Sequence, residues 1–413
     1  MAISYKDKTL HFDNLNILDI AIKHQTPFYI YSEDIIKNNF NLYHESFGKT
    51  QHTICYSVKA NSNLTILSLL AGLGSGFDIV SAGELSRVIK AGGDPQKTVF
   101  SGVGKTEEEI RYALNSNILC FNIESEDELY TINEIAIDMN TKANISVRVN
   151  PAISVDTHPY ITTGMKDNKF GIEQSQILPI YIKASKLAGI NIIGIDFHIG
   201  SQIMDINPYI ESLSKIIEII DQLDDQGIRL SHIDIGGGLG IAYQNESTVS
   251  KDTFVSDIIN TIGGRNLSII VEPGRSIVGE SGLLVSKVTN IKKTSLKNFA
   301  VMDAGMNDLL RPPLYEAYHS IKEVFQKSDA KLLYDVVGPI CETADFLGKS
   351  RNLSIEKGDF LVVENVGAYG YSLSSNYNTR PRIDEYMISN SNINKIRDRE
   401  TIKQILENEL KYL

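Results

Sequence analysis

FDIVSAGELSRVIKAGG, residues 77–93, compresses one structural unit into seventeen residues. The apolar, β-rich run Phe77–Val80 reads as a strand. Ser81 follows it, with Glu84 three positions on. A hydroxyl that accepts from an early backbone N–H, and a carboxylate that reaches back, open a helix. Leu85, Val88 and Ile89 then form one apolar stripe, and Gly92–Gly93 stops it.

The same unit recurs outward in both directions. Thr106 and Glu109, and Ser125 and Glu128, repeat the S/T-x-x-E spacing. Asn207–Pro208 reads as a helix cap with proline in the first turn, and Ile210, Leu213, Ile216, Ile217 and Ile220 follow at helical spacing. Phe254, Ile258, Ile259 and Ile262 form a further stripe, closed by Gly263–Gly264. The strand candidates are Ile54–Val58, Phe77–Val80, Val99–Ser101, Leu119–Ile123, Ile145–Val149, Ile192–Phe197, His232–Ile235 and Ile269–Val271. Strands alternating with helices predict a parallel sheet with right-handed crossovers. Eight such units predict a TIM-type (β/α)8 barrel. A doubly wound open sheet is the alternative.

After about residue 280 the alternation stops. GLLVSKVTNIKK (282–293), FAVMDAG (299–305), YDVVGPI (334–340) and GDFLVVENVGAY (358–369) are strand-like runs punctuated by Gly, Pro and Asn, with one possible helix near Tyr315–Gln326. The expected organisation is α/β plus β. A barrel spans residues 35–280, and residues 1–34 with 281–413 form a mostly β, sandwich- or barrel-like domain that completes the active site.

Composition narrows the function. With 413 residues the chain is long for a single core. Its net charge of −11 argues against a nucleic-acid partner, which needs a basic face. No apolar stretch has the roughly 18–20 residues of a membrane span. The beginning, MAISYKDKTLHFDN, lacks the apolar region of a secretory signal. Three scattered cysteines, Cys55, Cys120 and Cys341, with no CxxC pair, argue against a disulfide framework or a zinc cluster and fit a reducing cytoplasm.

In a barrel, function sits at the C-terminal ends of the strands. The candidates there are Lys59, Asp78 with Ser81, Arg148, His198, the run Asp234–Gly240 and the run Glu272–Arg275. Each has a plain reading. Lys59 is either a lysine snorkelling at a strand end or an amine able to form a Schiff base. Gly236, Gly237 and Gly238 are either a flexible turn or a loop whose amides converge on an anion such as phosphate. Glu272 either pairs with Arg275 or points into the barrel mouth, where a carboxylate keeps a pyridine nitrogen protonated. His198 is either a core histidine or a ring that stacks on a ligand. The pairs Asp196/His198 and His232/Asp234 also raise a metal site. Only one of these pairs faces a metal comfortably, and no HxH occurs. Taken jointly, lysine, glycine loop, histidine and glutamate are the groups that hold pyridoxal 5'-phosphate.

YSVKAN (56–61), DIVSAGE (78–84), RVNP (148–151), HPYITTG (158–164) with NKFG (168–171), HIGSQ (198–202) and DIGGGLG (234–240) continue into EPGR (272–275), DAGMNDLLRPPLY (303–315), GPICETAD (338–345) and GAYGYSLSSNYN (367–378) with RPR (380–382). In this order they resemble the diaminopimelate decarboxylases, fold type III pyridoxal-phosphate enzymes, over nearly the whole chain. No position expected to be catalytic departs from the pattern. The resemblance implies that Lys59 carries the cofactor and that His198 stacks on its ring. Asp78 belongs to the cofactor site, and Glu272 faces the ring nitrogen. Ser201 and Gly236–Gly238 hold the phosphate, with Pro273, Gly274 and Arg275 completing the cradle, and Tyr369 lies near phosphate and substrate. Cys341, a catalytic proton donor, and Glu342 enter the site of a neighbouring subunit, which implies a homodimer. Arg275, Arg311 and Tyr315 suit a distal carboxylate, because guanidinium meets carboxylate in a two-pronged geometry. Glu342 then meets the distal ammonium. The implied reaction is decarboxylation of meso-2,6-diaminopimelate to L-lysine and CO2, the last step of lysine biosynthesis.

Three alternatives share parts of this pattern. A decarboxylase of another diamino acid or a carboxylated polyamine shares the cofactor site. An amino-acid racemase shares the architecture but lacks the GPICE stretch. A non-catalytic binding protein would not need Lys59, Glu272 and Cys341 together.

Overall fold

The computed structural model describes residues 3–153 and 169–413; HPYITTG and Asn168 of the quoted stretches lie outside them. The chain divides into two compact units, Lys37–Ile241 with Ser247–Ser276, and Met1–Ile36 with Ala242–Glu246 and Ile277–Leu413.

The first unit is a closed parallel barrel. Its strands are β1 (His52–Ser57), β2 (Gly76–Ile79), β3 (Thr98–Phe100), β4 (Cys120–Ile123), β5 (Ala143–Asn150), β6 (Ile190–Phe197), β7 (His232–Asp234) and β8 (Ser268–Val271). Each pairs in parallel with the next, and β8 returns to β1 through Ile269 opposite His52. The barrel is therefore the architecture the repeated unit predicts, and the open sheet is not formed.

Period-two alternation decides what the barrel encloses. One set of side chains, among them Phe77, Phe121, Val147, Phe197 and Ile233, is buried. The other set meets inside. Cys55, Val99, Cys120 and Ile270 form a small apolar cluster there. His232 lies beside Gly194, where an added Cβ would fall on its ring. Two residues along β6 and β7, Asp196 and Asp234 face each other in register. Near the C-terminal ends the interior is thus polar.

Local signals behave as chemistry dictates, with two corrections. Thr106 and Glu109 form a reciprocal capping box. Ser81 and Ser125 accept from the amides of Glu84 and Glu128, but the two carboxylates reach one residue further back, to the amides of Val80 and Glu124. The helix Asn207–Asp225 begins one residue earlier than Asn207–Pro208 implies, because Asp205 Oδ1 takes the Asn207 amide (3.1 Å) and turns Asn207 into the first helical residue.

In the second unit, Phe28–Ser32 pairs antiparallel with Gly282–Lys293 and parallel with Asp384–Ser389. Phe28 and Ile30 join Leu283, Val285, Val362, Tyr386 and Ile388 in its core. The helix expected near Tyr315–Gln326 does not form. A short helix, Arg311–Tyr315, ends at Glu316 in the left-handed conformation, and Ile321–Glu323 is a strand. A terminal helix, Ile402–Leu410, capped by Thr401 and Gln404, has no counterpart in the expectations above.

Candidate active site

Lys59 does not extend β1. It sits in the single turn Val58–Ala60 that follows, which carries its amine over the barrel mouth. Nζ lies 2.7 Å from Asp78 Oδ2, which also accepts from Ser57 Oγ at 2.8 Å. Asp78 is fully buried whereas the Lys59 side chain is 37% exposed, so the amine is anchored by a buried acid on a partly exposed side chain.

Beneath it lies a layer of carboxylates. Asp196, Asp234 and Glu272 place oxygens within 4.8 Å of one another. Burial, then their neighbours' negative charge, pushes the Glu272 and Asp196 carboxyls well above the usual range. Burial likewise raises Asp234 to about 7, against a hydrogen bond from the Gly236 amide. Like charges this close cannot all ionise, so the layer holds protons. Arg148 Nη1 reaches Glu124 (3.0 Å), and its Nε lies 3.8 Å from Asp196. Burial opposes the Arg148 charge, but Glu124, Asp196 and Glu272 outweigh it and keep it protonated. Glu124 also receives the amides of Gly102 and Gly171, both at 2.9 Å. The metal pairs raised by the sequence do not form as written: Asp196 and Asp234 come together with Glu272, without His198 or His232.

His198 stands just beyond β6. Burial first, then the positive charges of Arg148 and Lys59, hold its pKa well below the usual histidine value. Its Nδ1 lies 3.1 Å from the Gly237 amide, so Nδ1 accepts and Nε2 carries the hydrogen. The ring is neutral and fixed in plane.

The glycine loop works mainly by close approach. A Cβ on Gly236 would meet His198 Nδ1 at 2.7 Å, one on Gly237 would overlie the Glu272 carbonyl, and one on Gly238 would overlie the Gly200 carbonyl. Gly236 and Gly238 also have φ of +67° and +107°, where other residues are strained. The Gly236 amide already serves Asp234 (2.9 Å) and the Gly237 amide serves His198. Two of the three amides expected to meet an anion are therefore engaged within the barrel. Close by, Arg275 Nη2 donates to Ser201 Oγ (3.0 Å). Pro273 accepts the Ser57 amide (3.1 Å). Gly274 packs so tightly on Ser57 and Ala60 that a Cβ would meet both near 3 Å.

The barrel thus gathers Lys59, Asp78, His198, Ser201, the glycine loop and Glu272–Arg275 at one end. Sequence reasoning passed over Ser57 and Glu124, and it named Arg148 and Asp234 at strand ends without giving them a part in holding the cofactor. Their signal was the inward set of the two-residue period, and FNIE (121–124) places an acid directly after β4.

The other expected residues belong to the second unit. Arg311 is buried at the head of its short helix and Tyr315 is half-buried at the end. Cys341 is an exposed free thiol whose amide donates to Asn378 Oδ1 (3.0 Å). Glu342 accepts from the Tyr377 hydroxyl (2.8 Å). Tyr369 adopts φ +58°.

The donor set fits pyridoxal 5'-phosphate: an amine for its aldehyde, a buried acid for its ring nitrogen, a neutral ring for its face, and hydroxyl, guanidinium and backbone groups for its phosphate.

Comparison with known proteins agrees. Residues 33–279 match the family model "Pyridoxal-dependent decarboxylase, pyridoxal binding domain". The chain is similar to the diaminopimelate decarboxylase of Vibrio cholerae, 46% identical over 401 residues, 97% of this chain and 96% of that one. The corresponding protein of Neisseria meningitidis serogroup A is 48% identical over 385 residues, 93% of this chain and 95% of that one. The crystal structure of diaminopimelate decarboxylase from Helicobacter pylori complexed with L-lysine superposes with a TM-score of 0.93 at 46% identity, covering 96% of this chain and 100% of that one.

Proposed function

The chain belongs to the pyridoxal-dependent decarboxylases, and on that premise we propose that it removes one carboxylate of meso-2,6-diaminopimelate to form L-lysine and CO2. The observation that carries this reading is a barrel mouth where a partly exposed lysine, Lys59, shares one end of the barrel with a buried acid, Glu272, in a chain alike over nearly its full length to diaminopimelate decarboxylases.

Lys59 holds pyridoxal 5'-phosphate through its amine, which Asp78, itself held by Ser57, positions. Glu272 faces the ring nitrogen, and its burial beside Asp234 and Asp196 favours its holding a hydrogen there. His198 stacks its neutral ring. Ser201, Arg275 and the Gly238 amide take the phosphate. Gly236, Gly237, Pro273 and Gly274 let the backbone come close enough. When bound, the cofactor supplies an electron sink for the pair left as the Cα–carboxylate bond breaks.

Substrate choice rests on the far end of the molecule. Arg275, Arg311 and Tyr315 bind the distal carboxylate, with Tyr369 beside them, and Glu342 binds the distal ammonium. Cys341, contributed by a second copy of the chain, gives its thiol proton to Cα. The site is therefore completed by a second copy of the chain in a homodimer. A thiol in that role must stay reduced, which fits a cytoplasmic enzyme of lysine biosynthesis.

The test is product analysis on the cofactor-loaded protein. One L-lysine and one CO2 should appear for each meso-diaminopimelate consumed. Conversion to a stereoisomer without CO2 would refute the reading in favour of a racemase.

A further inference from the structure

Within the second unit, Arg311 is held in an unusual way for a buried cation. The residue is 5% exposed, and His319, eight residues on, is fully buried. Arg311 Nη1 lies 2.7 Å from His319 Nε2. The opposite ring nitrogen, Nδ1, lies 2.8 Å from the backbone carbonyl of Glu364. These two contacts decide the protonation state. A carbonyl can only accept, so Nδ1 carries the hydrogen. A guanidinium can only donate, so Nε2 presents its lone pair. The imidazole is therefore neutral.

Two further features lock the arrangement. The Tyr243 ring lies under the guanidinium at 4.5 Å and meets the His319 ring edge-on at 5.0 Å. Arg351 Nη2 donates to the His319 carbonyl at 3.0 Å, and Lys322 takes the Glu364 carboxylate at 2.9 Å. His319 is thus pinned at both ring nitrogens and at its backbone. Both His319 and Tyr243 fix the guanidinium plane without subtracting from its charge. An aspartate or glutamate at 319 would orient Arg311 equally well but would neutralise it.

We propose that His319 is a positioning residue for substrate selection: as a neutral acceptor it orients Arg311 toward the carboxylate at the far end of the substrate without itself placing a negative charge beside the guanidinium. This rests on the reading of Arg311 as a holder of that carboxylate. Neither the motifs nor the family resemblance assigns His319 a part.

The test uses the cofactor-loaded full-length enzyme, with Arg311→Met, His319→Leu, the double variant, His319→Gln and His319→Glu. Losing an orienting hydrogen bond to a charged group should raise KM for meso-diaminopimelate about tenfold in His319→Leu. Because the contact is made equally before and during the reaction, kcat should stay within about twofold. Affinity for 1,5-diaminopentane, which has no carboxylate, should not change when read from the visible spectrum of the bound cofactor. The double variant should be no worse than Arg311→Met alone. His319→Gln, whose amide oxygen can accept from Arg311, should recover most of the loss, whereas His319→Glu should not. Should His319→Leu fail to fold, the Gln and Glu pair carries the test. Multiplicative effects in the double variant, a matching loss of 1,5-diaminopentane affinity, or equal KM values for Gln and Glu would each overturn the proposal while leaving Arg311's role intact. An unchanged KM in Arg311→Met would instead overturn the carboxylate reading, and the proposal with it.

Discussion

Gly237→Ala is the substitution whose effect the barrel geometry defines most sharply. The added methyl would lie on the carbonyl oxygen of Glu272, with the carbonyl carbon at 2.9 Å. The obstacle is backbone, so no rotamer change relieves it. Making room means separating the loop after β7 from the end of β8. That stretches the hydrogen bond from the Glu272 amide to Gly236 (2.8 Å) and the one from Ser57 Oγ to the Glu272 carbonyl (2.9 Å). Overpacking costs about 1–3 kcal/mol, and two weakened hydrogen bonds add about 1 kcal/mol each. For a unit of this size each kcal/mol moves the midpoint by roughly 2–4 °C, so a fall of roughly 10 °C is expected. Glu272 moves with its backbone, so cofactor affinity should drop as well. Gly264→Ala is the control, because nothing lies within 4 Å of its Cβ. It should be neutral or stabilising by up to about 1 kcal/mol. Thermal unfolding of both variants, with and without pyridoxal 5'-phosphate, reads the difference. A Gly237→Ala protein that melts within 2 °C of the parent would refute the argument that this glycine is required for close approach.

Lys59→Ala should fold but lose the visible absorbance of amine-bound cofactor together with all turnover; a retained band would mean that another amine holds it. Cys341→Ala should keep the band and lose most turnover. Mixing it with Lys59→Ala under subunit exchange should restore part of the activity, and no recovery would count against a site shared between two copies. Burial raises the Asp308 carboxyl to about 7, against the Gly305 amide and the charges of Arg380 and Arg399. Between about pH 4 and pH 7 the folded protein therefore holds a proton that the unfolded chain has released, so this group's penalty is absent below that window and complete above it. Asp308→Asn should gain stability relative to the parent as pH rises from 4 to 8, by up to about 4 kcal/mol; a difference that does not vary with pH would refute the assignment.

The barrel was legible because each unit carries two independent signals. Alternation marks the strand, and an S/T-x-x-E step with an apolar stripe marks the helix; neither depends on distant residues. The failures have local physical causes. Asp205 captures the Asn207 amide and shifts a helix start. Glu316 turns left-handed and ends the Arg311–Tyr315 helix, so the following residues build a strand. At the site, Lys59, His198 and Glu272 were visible as odd residues at strand ends. The partners that set their protonation were not: Arg148 with Glu124, or Asp234 with Glu272, meet only when neighbouring strands pair in register. Nor did three consecutive glycines disclose that two of their amides serve Asp234 and His198.

The most direct test of the account is CO2 release by the cofactor-loaded protein offered meso-diaminopimelate, ornithine, arginine and lysine side by side. A site built to pair a distal carboxylate should reject analogues lacking it by roughly 10³-fold or more in kcat/KM. Release from meso-diaminopimelate alone is the predicted result. Comparable release from ornithine, arginine or lysine would leave the barrel and its cofactor in place and contradict the roles given to Arg275 and Arg311.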